Sequence, residues 1–453
     1  MKQKINKWRP GLFRRVGIAL AIGQLFASPA WAEDAAISEL KSELAKSIKQ
    51  IESLTARLNE LENKAKQGGG GTDAERLAAV ERDVAQLADS KNRAGGDTGI
   101  PVHGFADVGF VRSSKNETRI TQAGKGFQVG SLDFYLTPKF GDRAKALIEL
   151  IFEMGADGGL ATDLERVQFG YTFNDKLTGW LGRFHTPYGY WNTGFHHGAQ
   201  IQTSILRPRF IDFEDKGGLL PAHLVGGWAT GQTPVGGGKL TYDLFMGNGG
   251  AIDVDTAVDP RGTLAINNTR DSNGNTLFGA NVGYRYGNGL TLGVHGFTER
   301  VNIRDAAVGG AQTGEVGVQM TGLYGFYDNN DWEGIAEYYH FNNENLSGNN
   351  CAATATCSNK SWLVFGQVGK AIGDWMPYVR AEKAVLDQND LYFNSQQYGV
   401  SYTRQALGVR YNLNAKSALK LEANRTNEGD GTPATGANSG QYSEARLQYS
   451  IRF

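Results

Sequence analysis

The sequence predicts an all-β membrane protein: a transmembrane barrel of about sixteen antiparallel strands, preceded by an N-terminal α-helical coiled coil. Three observations predict it. The chain ends on a strand with one apolar and one polar face. Short and long connections then alternate along residues 100–453. Finally, apolar residues recur every seven positions ahead of the barrel region.

The first 32 residues read as a secretory signal peptide. Six basic residues and no acid precede an apolar stretch from Val16 to Ala27, and Ala30-Trp31-Ala32 supplies the small residues of a cleavage site. Removing this leader takes 46 basic and 47 acidic residues to 40 and 47, so the exported chain carries about −7 rather than −1. No later apolar run approaches the roughly 20 residues a spanning helix needs. A mean hydropathy of −0.39 therefore excludes helical membrane proteins and leaves barrels open. The net charge argues against a nucleic-acid partner.

Residues 33–66 carry the heptads. Ile37, Leu44, Ile51 and Leu58 take one seam position, and Leu40, Leu54 and Leu61 take the other, with Ser47 the polar exception. A single seam is marginal alone, so it asks for a partner copy, and a trimer suits its mixed Ile and Leu. Residues 67–99 read as a linker with a short second helix at Leu77, Val80, Val84 and Leu87.

In the last strand Ala445, Leu447, Tyr449, Ile451 and Phe453 alternate with Glu444, Arg446, Gln448, Ser450 and Arg452. Lipid outside and a wet lumen inside demand this dyad pattern. Strands are expected to start near 101, 127, 144, 164, 177, 223, 239, 276, 290, 316, 332, 361, 375, 397, 417 and 441. Short turns such as Gly141-Asp142 and Gly373-Asp374 alternate with longer stretches, among them 248–275, 342–360 and 386–396. An even count puts both barrel ends, and the arm, on the periplasmic side. Cys351 and Cys357 sit in one long connection, and an oxidising compartment suits a disulfide between them.

The longest connection, 186–222, holds the candidate site. It carries Arg207, Arg209, Asp212, Glu214, Asp215 and Lys216, with Arg183 and His185 just before it on the parity assigned to the lumen. Basic and acidic residues facing a narrow aperture orient or select ions. No catalytic constellation emerges. His196-His197 lacks a spaced acidic or thiol partner, no haem attachment motif occurs, and no cofactor or metal is expected. The predicted activity is therefore not enzymatic.

The arrangement resembles a bacterial outer-membrane porin. The terminal Phe453, behind Tyr449 and Ile451, resembles the signature read by barrel assembly machinery. Gly182-Arg183-Phe184-His185-Thr186-Pro187-Tyr188-Gly189 is similar to a segment of the phosphate-selective porin O and P family, and the helical arm resembles that of trimeric porins. The resemblance implies a homotrimer in outer-membrane lipid of a Gram-negative bacterium. It also implies passive diffusion of small hydrophilic or anionic solutes and a third long loop, 186–222, folded into the lumen as the constriction. No ladder of arginines along several strands is evident, and the barrel region counts 30 basic against 34 acidic residues. Two alternatives are a structural barrel that tethers the cell wall through its arm and a sheath for a partner cytochrome.

Overall fold

The computed structural model describes residues 102–114, 125–154, 159–195, 199–213, 217–265, 271, 274–347, 357–429 and 440–453. The signal peptide, the coiled-coil seam and the linker lie outside the described residues. So do His196, His197, Glu214, Asp215, Lys216 and Cys351, the last leaving the disulfide to Cys357 an expectation.

Among the described residues, nineteen strands form one sheet. In order they are β1 (Val102–Ser113), β2 (Gly126–Leu136), β3 (Lys139–Phe140), β4 (Ala144–Met154), β5 (Leu160–Asn174), β6 (Leu177–His185), β7 (His223–Val235), β8 (Gly238–Asn248), β9 (Ala251–Asp255) and β10 (Asp259–Ala265). They continue as β11 (Thr276–Arg285), β12 (Leu290–Asp305), β13 (Ala311–Asp328), β14 (Trp332–Ser347), β15 (Ser358–Lys370), β16 (Trp375–Val385), β17 (Tyr402–Asn414), β18 (Ser417–Glu428) and β19 (Gln441–Arg452). Sixteen of them, all but β3, β9 and β10, pair antiparallel around a closed ring. Closure leaves no open edge, which is what a barrel in hydrocarbon requires. The expected sixteen-strand barrel is therefore present.

The ring closes where β1 meets β19, from Phe105 opposite Arg452 to Ser113 opposite Glu444. Gly104 and Phe453 exchange both backbone hydrogen bonds, at 3.1 and 3.0 Å. The Phe453 ring meets Phe134 edge-on, with centroids 5.8 Å apart. It lies over Gly104, where a Cβ would sit 2.2 Å from the ring.

The alternation sorts residues by face as the sequence predicts. Leu181, Leu244, Leu323, Leu407, Leu421 and Leu447 point outward and are exposed. Beside the short turns, Phe140, Phe173, Tyr286, Trp332 and Trp375 form an exposed aromatic rim, suited to a membrane boundary. Lys370 Nζ caps the Trp332 ring, 4.9 Å from its centroid.

Two features differ from expectation. The stretch 248–275 contains the hairpin β9–β10, whose first strand runs parallel to residues 302–305 of β12. Strand β17 starts at Tyr402 rather than near 397, because Gln396 and Gln397 are taken by the hairpin: Gln396 bridges Gly262, and the Gln397 N–H donates to the Gly262 carbonyl at 2.7 Å.

Candidate functional site

The connection 186–222 folds inside the barrel. Its chain enters at Tyr188, which is fully buried between His295, Phe297 and Tyr339 of the inner wall. Gly189 follows with φ +63°, and a Cβ there would lie 2.2 Å from the Glu337 Oε2. Only glycine reaches the wall this closely in this conformation. The Gly189 carbonyl accepts from Asn281 Nδ2 at 3.0 Å. The N–H groups of Tyr190 and Trp191 then donate to Glu337 Oε1 at 3.1 and 2.6 Å, and a short helix α1 (Trp191–Gly194) begins. Asn192 Nδ2 ties the two ends of the loop together by donating to the carbonyls of Thr186 and Ala222, at 2.9 and 3.0 Å.

Residues 199–209 run along β16, β17 and β18, gripped by charges of both signs, all buried but the half-buried Arg410. Lys420 Nζ donates to the carbonyls of Gln202 and Ser204, at 2.7 and 3.2 Å, and to that of Ala199. Arg410 Nη1 donates to the carbonyls of Gln200 and Gln202 at 2.6 and 3.0 Å. Glu422 Oε2 accepts from the Ile205 N–H at 3.0 Å, and Glu382 Oε2 from the Arg209 N–H at 2.8 Å. Arg380 Nη1 donates to Ser204 Oγ and the Leu206 carbonyl at 3.0 and 2.7 Å. An irregular segment cannot pair its own amides, so inside a barrel the wall must satisfy them.

The candidate residues fall into separate places. Arg183 donates to the Leu164 carbonyl at 2.8 Å and pairs with Glu165 at 3.4 Å. His185 lies 3.8 Å from Glu149 and opposite His223, at the neck of the loop. Arg207 is buried within the loop, donating to the carbonyls of Ile211 and Phe195 and to Asn192 Oδ1 at 3.0–3.2 Å. Arg209 is buried too, 3.4 Å from Glu428 and 4.3 Å from the Tyr402 ring centroid. Asp212 lies 4.0 Å from Arg207 Nε and accepts from the Phe213 N–H at 3.0 Å. Arg183, Arg207 and Arg209 thus each have partners of their own, and the two loop arginines are buried. A turning loop has carbonyls to satisfy, and the two loop arginines are used for that.

A second connection, 386–401, also turns inward. Its helix α2 (Leu391–Asn394) is capped by Asp390, whose carboxylate accepts from the Tyr392 N–H at 3.0 Å and from Asn343 Nδ2 at 2.9 Å. Tyr392 Oη donates to the Leu219 carbonyl at 2.7 Å, and Arg209 Nη2 to the Tyr398 carbonyl at 3.4 Å. Phe210, Leu219, Ile252, Leu264, Phe341 and Phe393 join into one buried apolar cluster, so the two inward loops and the hairpin fill part of the lumen beside β12–β17.

Burial pushes the Asp390 carboxyl from 3.8 up to about 7, against the two hydrogen bonds it accepts. The folded state therefore favours the neutral acid. That contribution is complete below about pH 4 and is lost as pH rises through about 7. Amide exchange of Leu391–Asn394 should accelerate from pH 5 to pH 8 beyond its intrinsic base dependence, and Asp390→Asn should flatten the excess.

The sequence reading missed Glu337, Arg380, Glu382, Arg410, Lys420 and Glu422. Their signal is visible afterwards: neighbouring strands carry charges of both signs at alternate, inward positions. Basic residues also recur on the inner faces of four adjacent strands, at Arg380, Arg404, Lys420 and Arg446, where no ladder is expected from the sequence.

No family model and no curated protein sequence matches the chain. Solved structures do. An anion-selective porin from Comamonas acidovorans matches with a TM-score of 0.51 and 14% identity, over 78% of this chain and 99% of that one. OmpT, an outer membrane protein of Vibrio cholerae in its trimer form, matches with a TM-score of 0.50 and 11% identity, over 78% and 99%. The fold is the porin fold. At these identities the likeness is one of architecture, and it extends across the described barrel.

Proposed function

We propose that the chain is a passive diffusion channel of a Gram-negative outer membrane, admitting small hydrophilic solutes past a constriction built by residues 186–222. The observation that carries this reading is the grip of the inner wall on that loop. A closed barrel with an apolar exterior holds an ordered segment within its lumen by main-chain hydrogen bonds from β14 and β16–β18. Such a segment narrows a water path without sealing it, and polar side chains on the remaining wall hydrate what passes.

Around this channel the same reading places the signal peptide at 1–32, a periplasmic coiled coil at 33–66 that gathers three copies, and a linker at 67–99. A disulfide between Cys351 and Cys357 would stiffen one outer loop. The trimer form of the Vibrio cholerae neighbour supports the homotrimer.

Purified protein in planar lipid bilayers should give discrete conductance steps in multiples of three. Absence of any step would sink the channel reading. One observation favours a second reading: the buried apolar cluster under β12–β17 also suits a closed barrel that tethers the envelope through its arm. Deleting residues 33–99 separates the two. A channel keeps its conductance per pore, whereas a tether loses its attachment to the cell wall.

A further inference from the structure

We infer that the ion preference of the lumen is set by Arg166 and Arg446, each of which faces water while its counter-charge is buried behind it, so that an overall acidic protein selects small anions. The inference rests on the channel reading above.

Arg166 Nε pairs with Glu149, and the two side chains are 18% and 0% exposed. Arg446 Nη2 pairs with Glu444 at 3.1 Å, and their exposures are 14% and 0%. Each pair is neutral when counted from afar. At the wall its surface is cationic, because the guanidinium is the member of each pair that is exposed. Coulomb interactions with a passing ion weaken with distance and with intervening polar matter, so the exposed member dominates at close range. The donors are also unspent. Arg166 gives only Nε to Glu149 and Arg446 only Nη2 to Glu444, which leaves terminal N–H groups for a carboxylate or another small oxyanion.

Other described charges differ: Arg183 is 17% exposed, but its partner Glu165 is 12% exposed beside it. Arg380 is fully buried, and its donors go to Glu382, Gln367 and the constriction loop. Arg404 is buried, with Nη2 3.9 Å from Glu444. On the same wall, Asp107 accepts from Gln448 Nε2 at 3.0 Å and from the Ser131 N–H at 3.4 Å. Asp133 is buried and Glu153 half-buried, near the long-loop end of β4. Among the described residues of the loop, Asp212 is the opposing acid, with its side chain 22% exposed.

Two readings now predict opposite signs. A net charge of about −7 for the exported chain favours cations, whereas the exposure of the pairs favours anions. The test is the reversal potential of single channels in a potassium chloride gradient, first for the full chain and then for the variant R166Q/E149Q/R446Q/E444Q. This variant removes both pairs and leaves the net charge unchanged, while also taking away the carboxylates 3.9 Å from Arg404 and 3.8 Å from His185. The full chain should show a chloride-selective potential, and the variant should move it toward zero or past it. R166K/R446K, which keeps the charges, should retain the original sign. Should the four-fold variant fail to assemble, R446Q/E444Q alone should give a partial shift. A cation-selective full chain, or a variant with an unmoved potential, overturns the inference while leaving the channel intact. No conductance in the full chain overturns both.

Discussion

Arg380→Met should release the inward loop 186–222 from its wall and, on the channel reading proposed above, raise conductance, with added open-state noise. Arg380 is fully buried between two carboxylates, 2.9 Å from Glu382 and 3.9 Å from Glu422. Both acids are themselves buried and both hold loop amides. Removing one member of a buried charge network leaves its partners uncompensated, at a cost of about 3–5 kcal/mol. The same change frees Ser204 Oγ and the Leu206 carbonyl, so the cost falls on residues 204–209 rather than on the strands. Single-channel recording checks the outcome, with limited proteolysis of residues 199–213 as an independent readout. Arg380→Lys keeps a charge but loses the planar fork, and should fall between the two. Wild-type conductance and noise in the methionine variant would show that the loop does not depend on this grip.

The second large effect is expected at the end of the chain. Removing Phe453 should deplete folded barrel from the outer membrane, whereas Phe453→Ala should do so less. Deletion takes away two closing hydrogen bonds with Gly104 and the edge contact with Phe134. Together these are worth about 3 kcal/mol, on the order of a hundredfold in an equilibrium between closed and open ring. The alanine variant keeps the main-chain bonds and loses only the ring. Gly104→Val, far from the terminus in sequence, should deplete folded barrel at least as much as the alanine variant, since its Cβ would meet both the ring and the Asp133 carbonyl oxygen, the latter at 2.6 Å. The measurement is the heat-modifiable fraction on gels of isolated membranes. Equal folded fractions for Gly104→Val and the unmodified chain would mean that the closure contact is not what matters at this end.

The barrel was legible because its physics is local. A strand that separates lipid from water must alternate every residue, and Leu447, Tyr449 and Ile451 against Arg446, Gln448 and Ser450 display that within one short stretch. Turn placement followed from glycine and aspartate pairs between such stretches. The site was less legible, because its contacts are distant in sequence. Glu337 holds Trp191 from 146 positions away, and Lys420 holds Gln202 from 218 positions away. Arg207 and Arg209 illustrate the converse. Two arginines in a loop look like selectivity elements, yet burial turned them into internal ties. The hairpin β9–β10 escaped notice for a related reason: its strands answer to β12 and to the second inward loop, not to a lipid face, so their pattern carries no dyad signature.

The wall seizes the inward segment mostly by its peptide groups: the amides of Tyr190, Trp191, Ile205 and Arg209 and the carbonyls of Ala199, Gln200, Gln202, Ser204 and Leu206. Peptide groups are common to all residues. An anchorage of that kind is indifferent to which side chains the segment displays, so mutational drift can retune the sieve while the mount stays unchanged. Permeability and architecture can then evolve on separate clocks.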